Sequence, residues 1–530
     1  MEENKVPETV EVEEVAPAQE VVASPYKNGF LKALDNYFGV SKAGSNFKTE
    51  IMAGLTTFMT MVYILMVNAG MFGIDGNIGV SYGAIYIGTA LSAVIGTVLI
   101  GVLAKIPMAQ ACGMGLNAFF VFTVCGWGLG NGMTYANALV FILLDGVVFI
   151  LLTVTGLRKK IFKAIPDAVK VAIPAGIGLF IAFIGLQNAG IVVADSATKV
   201  KLVSLNFLAS ATYASVFPIL VTFAGLIAIT VLAKLKVKGS VLWGILGAAV
   251  LYYIFAGIGV AAGDKACKAI FSAISFDNPI QAFKDFGSQS IGKVFTEGFN
   301  FDFYLKGGDT LIPILDEVTG DFLGWVPSPA HSVGDLILTL LTGALAFCLV
   351  DMFDTIGTLY GACARGNLLD ENGEVPNMDK AMLSDAIATC CGAILGVSTV
   401  TTFVESSSGV AEGGKTGVTS IVVAVLFFIA MFLSPIAQLI PTWATASALI
   451  YVGVLMMNCV KKIDWLDPAA AVPAFLTIAM MPFTYNISYG IGLGLISYVL
   501  IKLCTGKVKE INWLTAILGV IFAAMFFLTH

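Results

Sequence analysis

The stretch GVSTVTTFVESSSGVAEGGKTG, residues 396–417, interrupts a chain that otherwise consists largely of apolar runs. Val397 to Phe403 is short, β-branched and polar, a composition that favours a strand over a helix. Ser406 to Ser408 then provide N-cap chemistry for a half-helix. A backbone that leaves the helix inside lipid must have its amides and carbonyls satisfied by protein or by water in a cavity. The stretch therefore predicts a discontinuous membrane span.

A second segment, PMAQACGMGLNAFFVFTVCG at residues 107–126, is also too polar and too rich in glycine for an ordinary span. The segment from Cys112 to Gly115 is expected to interrupt the helix before Asn117. Two half-helix N-termini that point at the midplane would present free N–H groups and positive dipole ends. The alternative is a pair of re-entrant loops that bind no ligand.

The composition of the whole chain indicates an all-α polytopic membrane protein embedded in a lipid bilayer. Of its 530 residues, 58% are hydrophobic and 12% are charged, and the mean hydropathy is +0.90. A soluble domain has about 45–50% apolar and about 25% charged residues. Apolar windows long enough to cross a ~30 Å hydrocarbon core lie near 51–71, 82–104, 134–156, 168–187, 212–234, 239–261, 335–363, 379–397, 416–438, 443–460, 468–484 and 486–504.

The short loops predict the orientation. Lysine and arginine collect at residues 158–163, 234–238, 461–462 and around 507–509. If each unusual segment counts as one crossing, all these loops share one side, which the positive-inside rule makes cytoplasmic. This predicts about seven crossings before residue 262, seven after 333, and a cytoplasmic N-terminus in the cell membrane. An odd count inverts the second half, which is a known transporter plan with discontinuous helices at matching positions.

The predicted organisation has five parts. Residues 1–45 form an acidic disordered tail (1–25) and a pre-span segment, and residues 46–262 form the first inverted repeat. Residues 263–332 form an extramembrane insertion, either a small lid or a solvated linker. Residues 333–505 form the second repeat, and residues 506–530 an extra hydrophobic helix that either spans the membrane or lies at its interface.

Acidic side chains inside the apolar runs are the candidate functional groups. Asp351 and Asp354 lie three apart in FCLVDMFDTIGTLYGAC, and Glu405 lies in the unusual stretch 396–417. Insertion of such a group costs about 2.5–3.5 kcal/mol, so these groups usually mark a substrate or proton pathway. Two nearby carboxylates should not both ionise readily in a low dielectric, which suits a proton carrier. Alternatively, one aspartate braces the helix junction.

Three further residues complete the candidate site. Glu405 would accept hydrogen bonds from a ligand's ring N–H groups, and Phe403 would offer a ring face for stacking, or else pack in the core. Asn117, at the matching junction, offers both a donor and an acceptor. Asp385, in MLSDAIATCCG, either faces the same cavity or anchors the end of its span.

The sequence argues against several other functional classes. The nine cysteines follow no metal-binding spacing, and only two histidines are present, so no metal or cofactor is expected. The net charge of −6 indicates no nucleic-acid surface. No HExxH, GxSxG or nucleotide loop occurs in the membrane segments, which argues against an enzyme. A channel would require rings of pore-lining groups from a symmetric assembly.

Four segments resemble a known family: GLTTFMTMVYILMVN, MAQACGMGLNAFFVF, LVDMFDTIGTLYGA and TVTTFVESSSGVAEGGKTG. In order and spacing they look like the signatures of the AzgA-like adenine/guanine/hypoxanthine permeases, a branch of the nucleobase–cation symporter-2 superfamily. The similarity runs from about residue 28 to 504. The family's eighth-span acids match Asp351 and Asp354, its tenth-span glutamate Glu405 and its third-span asparagine Asn117. The xanthine/urate branch resembles this segment with glutamine in place of Glu405.

The resemblance implies fourteen spans in a seven-plus-seven inverted repeat, with short strands at the start of spans 3 and 10. It also implies a core (spans 1–4 and 8–11), a gate (spans 5–7 and 12–14), an elevator motion and a homodimer. We therefore expect an importer of a purine nucleobase together with a proton. Asp354, Asp351 and Asp385 are the candidates for proton coupling. The rival is a sulfate-type anion transporter of the same architecture, although three carboxylates would repel an anion.

Overall fold

The computed structural model describes residues 25–26, 28–75, 78–125, 133–195, 198–207, 211–272, 279–306, 311–315, 322–327, 332–371 and 373–528. The acidic tail predicted for residues 1–25 lies outside these residues except for Pro25. The described residues form mainly helices, with six short strands among them.

The first half of the chain contains three strands, β1 (Gln110–Cys112), β2 (Val192–Asp195) and β3 (Lys199–Leu202). Its helices are α1 (Gly29–Phe38), α2 (Phe47–Met61), α3 (Tyr63–Gly70), α4 (Tyr82–Leu99), α5 (Met114–Ala118), α6 (Tyr135–Val154), α7 (Leu157–Ala164), α8 (Asp167–Asn188), α9 (Tyr213–Lys234) and α10 (Ser240–Ala261). One π-helical turn each continues α3, α4 and α5, at Met71–Asp75, Ile100–Ala104 and Phe119–Val124.

The middle of the chain contains α11 (Lys265–Ser272), α12 (Pro279–Asp285), α13 (Lys293–Thr296), α14 (Asp302–Lys306), β4 (Leu311–Leu315) and β5 (Phe322–Pro327). The second half contains α15 (Val333–Arg365), α16 (Met378–Leu395), β6 (Val400–Thr402), α17 (Ser406–Ala411), α18 (Gly417–Ala430), α19 (Ser434–Ala437), α20 (Thr442–Met456), α21 (Pro468–Phe483), α22 (Ile487–Cys504) and α23 (Trp513–Leu528). A π-helical turn at Phe286–Ser290 and 3-10 turns at Met431–Leu433, Met457–Lys462 and Val508–Glu510 complete the assignment.

Ten helices among the described residues are long and apolar enough to cross a membrane, which confirms a helical multi-pass membrane protein. Shorter apolar helices lie at Met114–Val124, Pro468–Phe483 and Trp513–Ala524. The 18-residue helix α16 is more polar than these ten, since it contains Asp379, Lys380 and Asp385. Asp379 and Lys380 are exposed in its first turn, whereas Asp385 is buried.

The two unusual segments pair with each other. Strands β1 and β6 are antiparallel, with Gln110 opposite Thr402, Ala111 opposite Thr401 and Cys112 opposite Val400. Both strands are fully buried. A strand in each segment confirms the prediction, but β6 is shorter than the predicted stretch Val397–Phe403.

The outer edges of this two-stranded sheet are satisfied by threonine hydroxyls. Thr97 Oγ1, in α4, accepts from the N–H of Gln110 and donates to its carbonyl, both at 3.0 Å. Thr389 Oγ1, in α16, makes the same pair of bonds with Val400, both at 3.2 Å. Thr355 Oγ1 accepts from the N–H of Thr402 at 3.3 Å. These bonds meet the requirement that membrane-embedded backbone be paired inside the protein.

The predicted N-cap for the half-helix is not formed by the serines. Helix α17 begins at Ser406 with Glu405 at the N-cap position, and no side chain caps it. Ser406 Oγ instead accepts from the backbone N–H of Ala109 at 3.0 Å. The serine hydroxyl therefore ties the half-helix to the segment before β1, because that segment carries an amide that needs a partner in a water-poor interior.

The membrane helices divide into two packed groups. Within the first group, α16 packs on α6 and α4, α18 on α2 and α4, α15 on α6, and α17 on α2. Within the second, α20 packs on α8 and α9, α21 on α8 and α22, and α10 on α9. Glycines allow close approach there: a Cβ on Gly453 would lie 2.4 Å from the carbonyl oxygen of Gly178. Such contacts are typical of helices packed in lipid.

Part of the region 263–332 packs on the first group of helices. Ser290 Oγ donates to the carbonyl of Leu395 at 2.8 Å, and the N–H of Gly292 donates to the carbonyl of Ile394 at 2.7 Å. Asn137 Nδ2 donates to the carbonyl of Gly298 at 2.7 Å. This part of the insertion is therefore attached to the ends of α6 and α16.

We predict that Thr389→Val destabilises the protein by about 1–3 kcal/mol, because two buried backbone groups of Val400 lose their partner. The measurement is the thermal unfolding of purified protein in detergent. Thr230→Val is the control, since the exposed Thr230 bonds only to the carbonyl of Leu226 in its own helix. Equal melting temperatures for the two variants would contradict the role assigned to Thr389.

Candidate functional site

Asp354 and Glu405 lie close to strand β6 and form the centre of the candidate site. Thr401, the middle residue of β6, donates its hydroxyl to Asp354 Oδ2 at 3.3 Å. Tyr63, in α3, donates its hydroxyl to Glu405 Oε1 at 2.6 Å. The negative charges of the two acids are close enough to act on each other. Both side chains are partly accessible.

Asn117 lies in the matching half-helix on the other side of the sheet. Its Nδ2 donates to the carbonyl of Cys112 at 3.4 Å, while its Oδ1 is buried without a hydrogen-bond partner. A buried acceptor without a partner is costly, so it invites a donor from a ligand or from water. The Asn117 side chain therefore makes one structural hydrogen bond through Nδ2, and its Oδ1 remains available to accept another.

Phe403 follows β6 directly and is 7% exposed. Its backbone N–H donates to the carbonyl of Ala109 at 3.0 Å, so the chain position is fixed by the sheet. Its side chain belongs to the main apolar core of the protein. Stacking on a ligand therefore stays a prediction beside the alternative of core packing.

Asp351 lies beside Asp354 on helix α15 but has a different hydrogen-bond partner. Its Oδ2 lies 3.2 Å from Thr389 Oγ1, whose single hydroxyl proton is shared between this carboxylate and the carbonyl of Val400, while its Oδ1 has no partner. Asp351 is 0% exposed, whereas Asp354 is partly accessible. The structure therefore gives the two aspartates different surroundings, since a spacing of three residues turns them to neighbouring faces of the helix.

Asp385 connects the strands to helix α15. Its Oδ1 accepts from Gln110 Nε2 at 2.8 Å and from Thr402 Oγ1 at 3.3 Å, and its Oδ2 accepts from Thr355 Oγ1 at 2.8 Å. Hydrogen bonds to a charged group are the strong ones. Asp385 therefore fixes the register of the paired strands β1 and β6. Any part of Asp385 in proton transfer stays a prediction.

Sequence reasoning missed three polar residues of this region, Tyr63, Gln110 and Asp145. Asp145 lies in α6 and is fully buried. It carried the same signal as Asp351, an acid within an apolar run. Tyr63 and Gln110 carried no such signal, because their partners Glu405 and Asp385 are about 340 and 275 residues away in the chain.

The chemistry of the site suits a neutral polar ligand. Two partly accessible carboxylates and one amide carbonyl are acceptors, and they match the N–H groups of a heterocycle. In the part of the chain that the structure describes, no group of three or more His, Cys, Asp or Glu side chains is arranged to hold a metal ion.

We predict that Asp385→Asn destabilises the protein by about 1.5–3 kcal/mol, since three buried donors lose a charged acceptor. The measurement is thermal unfolding in detergent. Asp167→Asn is the matched control, because Asp167 is 95% exposed and a surface ion pair contributes about 0–1 kcal/mol. An unchanged melting temperature for Asp385→Asn would exclude its structural role.

The sequence comparisons identify permeases. A family model described as a permease family, Xan_ur_permease, matches residues 48–493. The adenine permease AdeQ of Escherichia coli is 34% identical over 493 residues, which cover 92% of this chain and 95% of that protein. The guanine/hypoxanthine permease PbuO of Bacillus subtilis is 36% identical over 493 residues, which cover 93% of this chain and 100% of that protein.

Solved structures show the same fold at low sequence identity. The transmembrane domain of the cyanobacterial bicarbonate transporter BicA matches with a TM-score of 0.54 and 12% identity, over 84% of this chain and 97% of that one. The murine anion transporter Slc26a9 in its inward-facing state matches with a TM-score of 0.51 and 10% identity, over 92% and 74%. From the family match and the identity to curated permeases, this chain is a permease, not an enzyme, and belongs to the nucleobase–cation symporter-2 family.

Proposed function

We propose that this permease imports a purine nucleobase (adenine, guanine or hypoxanthine) together with a proton. The proposal is supported by the positions of Asp354, Glu405 and the unpartnered Asn117 carbonyl next to the paired strands β1 and β6. The relatives named as adenine and guanine/hypoxanthine permeases supply the substrate class.

The purine would be held by hydrogen bonds between its ring edges and these acceptors. Glu405 is oriented by the Tyr63 hydroxyl, and Asp354 by the Thr401 hydroxyl, so both carboxylates are positioned before a ligand arrives. Each carboxylate keeps further lone pairs for a ligand N–H. Asn117 Oδ1 would accept from the opposite edge, and Phe403 would stack on the ring.

The proton would be carried by the acids of helix α15. Asp354 faces the ligand side and Asp351 the interior, and they lie three residues apart on one helix. Asp385 accepts three hydrogen bonds, which stabilise its charged form, so we give it a lesser part in proton transfer.

The packing supports fourteen spans in a seven-plus-seven inverted repeat. If α2 with α3 is span 1 and α15 is span 8, then α4 and α16 are matching spans, as are α6 and α18. The packing pairs repeat accordingly, since α16 packs on α6 and α4 packs on α18, and each pair joins one helix from each half. The paired bonds of Thr97 with Gln110 and of Thr389 with Val400 repeat in the same way.

The two packed groups of helices support an elevator mechanism. The group with α2, α4, α6 and α15 to α18 would be the moving core, and the group with α8 to α10 and α20 to α22 the gate. Few polar bonds join the two groups among the described residues. One is the bond from Thr123 Oγ1 to the carbonyl of Tyr485 at 2.7 Å. A sparse polar interface is what sliding of one group against the other requires.

The short loops rich in lysine and arginine support a cytoplasmic N-terminus by the positive-inside rule. Location in the cell membrane stays a prediction. The homodimer implied by the family resemblance stays a prediction.

The rival function is anion transport. Its support is the fold of the bicarbonate and anion transporters described above, whose identity to this chain is only 10–12%. Two partly accessible carboxylates at the candidate site repel an anion. The site chemistry therefore favours the purine.

We predict that Glu405→Gln lowers adenine, guanine and hypoxanthine uptake by about tenfold to a hundredfold, since it removes a charged acceptor worth about 1.5–3 kcal/mol. The measurement is competition uptake in proteoliposomes with purines, pyrimidines and sulfate. Glu412→Gln is the control, because Glu412 lies exposed in the same segment and pairs only at the surface with Lys238. Near-normal uptake by Glu405→Gln would remove Glu405 from the site, and competition by sulfate would favour the rival.

We predict that Asp354→Asn stops or uncouples accumulation driven by a pH gradient, because an amide cannot release a proton. The measurement is the internal-to-external purine ratio in proteoliposomes with an acidic exterior, at equal protein levels. Asp370→Asn, at an exposed carboxyl near the end of α15, is the control. A mutant that still concentrates purine against its gradient would show that Asp354 does not carry the proton.

A further inference from the structure

Asp145 is a fully buried acid whose two carboxylate oxygens have no hydrogen-bond partner. It lies in the middle of the apolar helix α6. Of the described acids, Glu50 provides the contrast. Glu50 is equally buried, yet it accepts from the backbone N–H groups of Lys415 and Thr416 and from the Thr419 hydroxyl. Asp145 therefore has no structural bond that accounts for its position.

The neighbours of Asp145 come from two helices. A Cβ on the adjacent Gly146 would lie 2.5 Å from Cys390 Sγ and 2.9 Å from Cys390 N, so α6 and α16 touch at this level. The titratable groups close enough for electrostatic interaction with Asp145 are Asp385 and Cys390 from α16, and Cys348 and Asp351 from α15. All of them are acidic or neutral.

The basic groups nearest along α6 are at its two ends. Helix α13, which carries Lys293, packs on the first turn of α6, where Gly298 lies against Ala136. Helix α7, which carries the exposed Lys160, follows the last turn. Each end is roughly 13 Å from Asp145 at a rise of 1.5 Å per residue. Basic side chains therefore do not neutralise Asp145.

An ionised carboxylate that is buried without hydrogen bonds has a high free-energy cost, and binding a proton removes that cost. The neighbouring Asp385 accepts three hydrogen bonds and can remain charged, so it opposes a second negative charge beside it. Asp351 has one unpartnered oxygen, Oδ1, and one oxygen bonded to Thr389. A proton that leaves Asp145 thus has a buried acceptor on the neighbouring helix.

We propose that Asp145 and Asp351 form a buried proton site between α6, α15 and α16, in which a proton resides on one or the other of the two carboxyl groups during the transport cycle. This inference rests on the proton coupling in the proposed function. Asp351 is three residues from Asp354 on α15, so the buried site lies next to the carboxylate that faces the ligand. Binding of a purine at Asp354 would change the charge felt by Asp351 and move the proton to or from Asp145.

The occupant is a proton and not a metal cation. A cation such as Na⁺ or Mg²⁺ needs several oxygen ligands around one point. Among the described residues, no three acidic, Cys or His side chains are arranged to hold a metal ion, and the Asp145 oxygens have no hydrogen-bond partner. A proton needs only the two carboxyl groups.

The test compares Asp145→Asn with wild type in proteoliposomes. Asparagine has nearly the same shape as a protonated aspartic acid, and no hydrogen bond is lost. We expect exchange of labelled purine at equal concentrations to continue, while accumulation under a pH gradient falls until the two sides are equal. Thermal stability should be unchanged or higher, in contrast to Asp385→Asn. Accumulation equal to wild type, or a melting temperature lowered as much as in Asp385→Asn, would overturn the proposal.

A second measurement does not depend on the variant. Infrared difference spectra of the wild-type protein, recorded on addition of purine, should show a change in the carbonyl stretch of a protonated carboxylic acid. The absence of any such change would overturn the proposal. Failure of the wild type to transport purines at all would instead refute the proposed function, so the two failures are distinguishable.

Discussion

The structure depends on two short strands that pair with each other inside the membrane. An open sheet has unpaired edges, and lipid offers no water to satisfy them. Here the hydroxyls of Thr97 and Thr389 each bond to both backbone groups of one strand residue, Gln110 and Val400. Threonine suits this task because a single hydroxyl both donates and accepts. A two-stranded sheet can therefore persist in an otherwise helical protein.

The acids around the paired strands β1 and β6 differ in the number of hydrogen bonds that they accept. Asp385 accepts three hydrogen bonds and joins both strands to helix α15, whereas Asp354 and Glu405 each accept one bond and remain partly accessible. Asp145 accepts none. A carboxylate that accepts several hydrogen bonds is stabilised as an ion, and one that accepts none favours a proton. The difference follows from hydrogen bonding and not from residue type.

This difference gives a physical basis for coupled transport. In the proposed function, a neutral heterocycle would bond to the partly accessible carboxylates of Asp354 and Glu405, and a proton would occupy the buried carboxyl groups of Asp351 and Asp145. Both sites include helix α15, through Asp354 and Asp351. We therefore propose that ligand binding and proton binding are coupled through one rigid helix. Such coupling is simpler than coupling across a flexible loop.

The sequence by itself determined that the chain is a multi-pass membrane protein, because a soluble protein would not contain so many long apolar runs. It also indicated both discontinuous segments, since β-branched and glycine-rich composition is a local property. The short strand in each segment is confirmed, while the extent of β6 and the serine cap at α17 were predicted incorrectly. The serine cap is absent because the Ser406 hydroxyl accepts from the distant backbone N–H of Ala109.

Only the tertiary structure decided which polar groups meet. The pairing of β1 with β6, the bond from Tyr63 to Glu405 and the bond from Gln110 to Asp385 all join residues hundreds of positions apart. The different surroundings of Asp351 and Asp354 depend on which helix packs on each face of α15. Periodicity places side chains on faces of a helix, but the partner on each face is set by packing between distant segments.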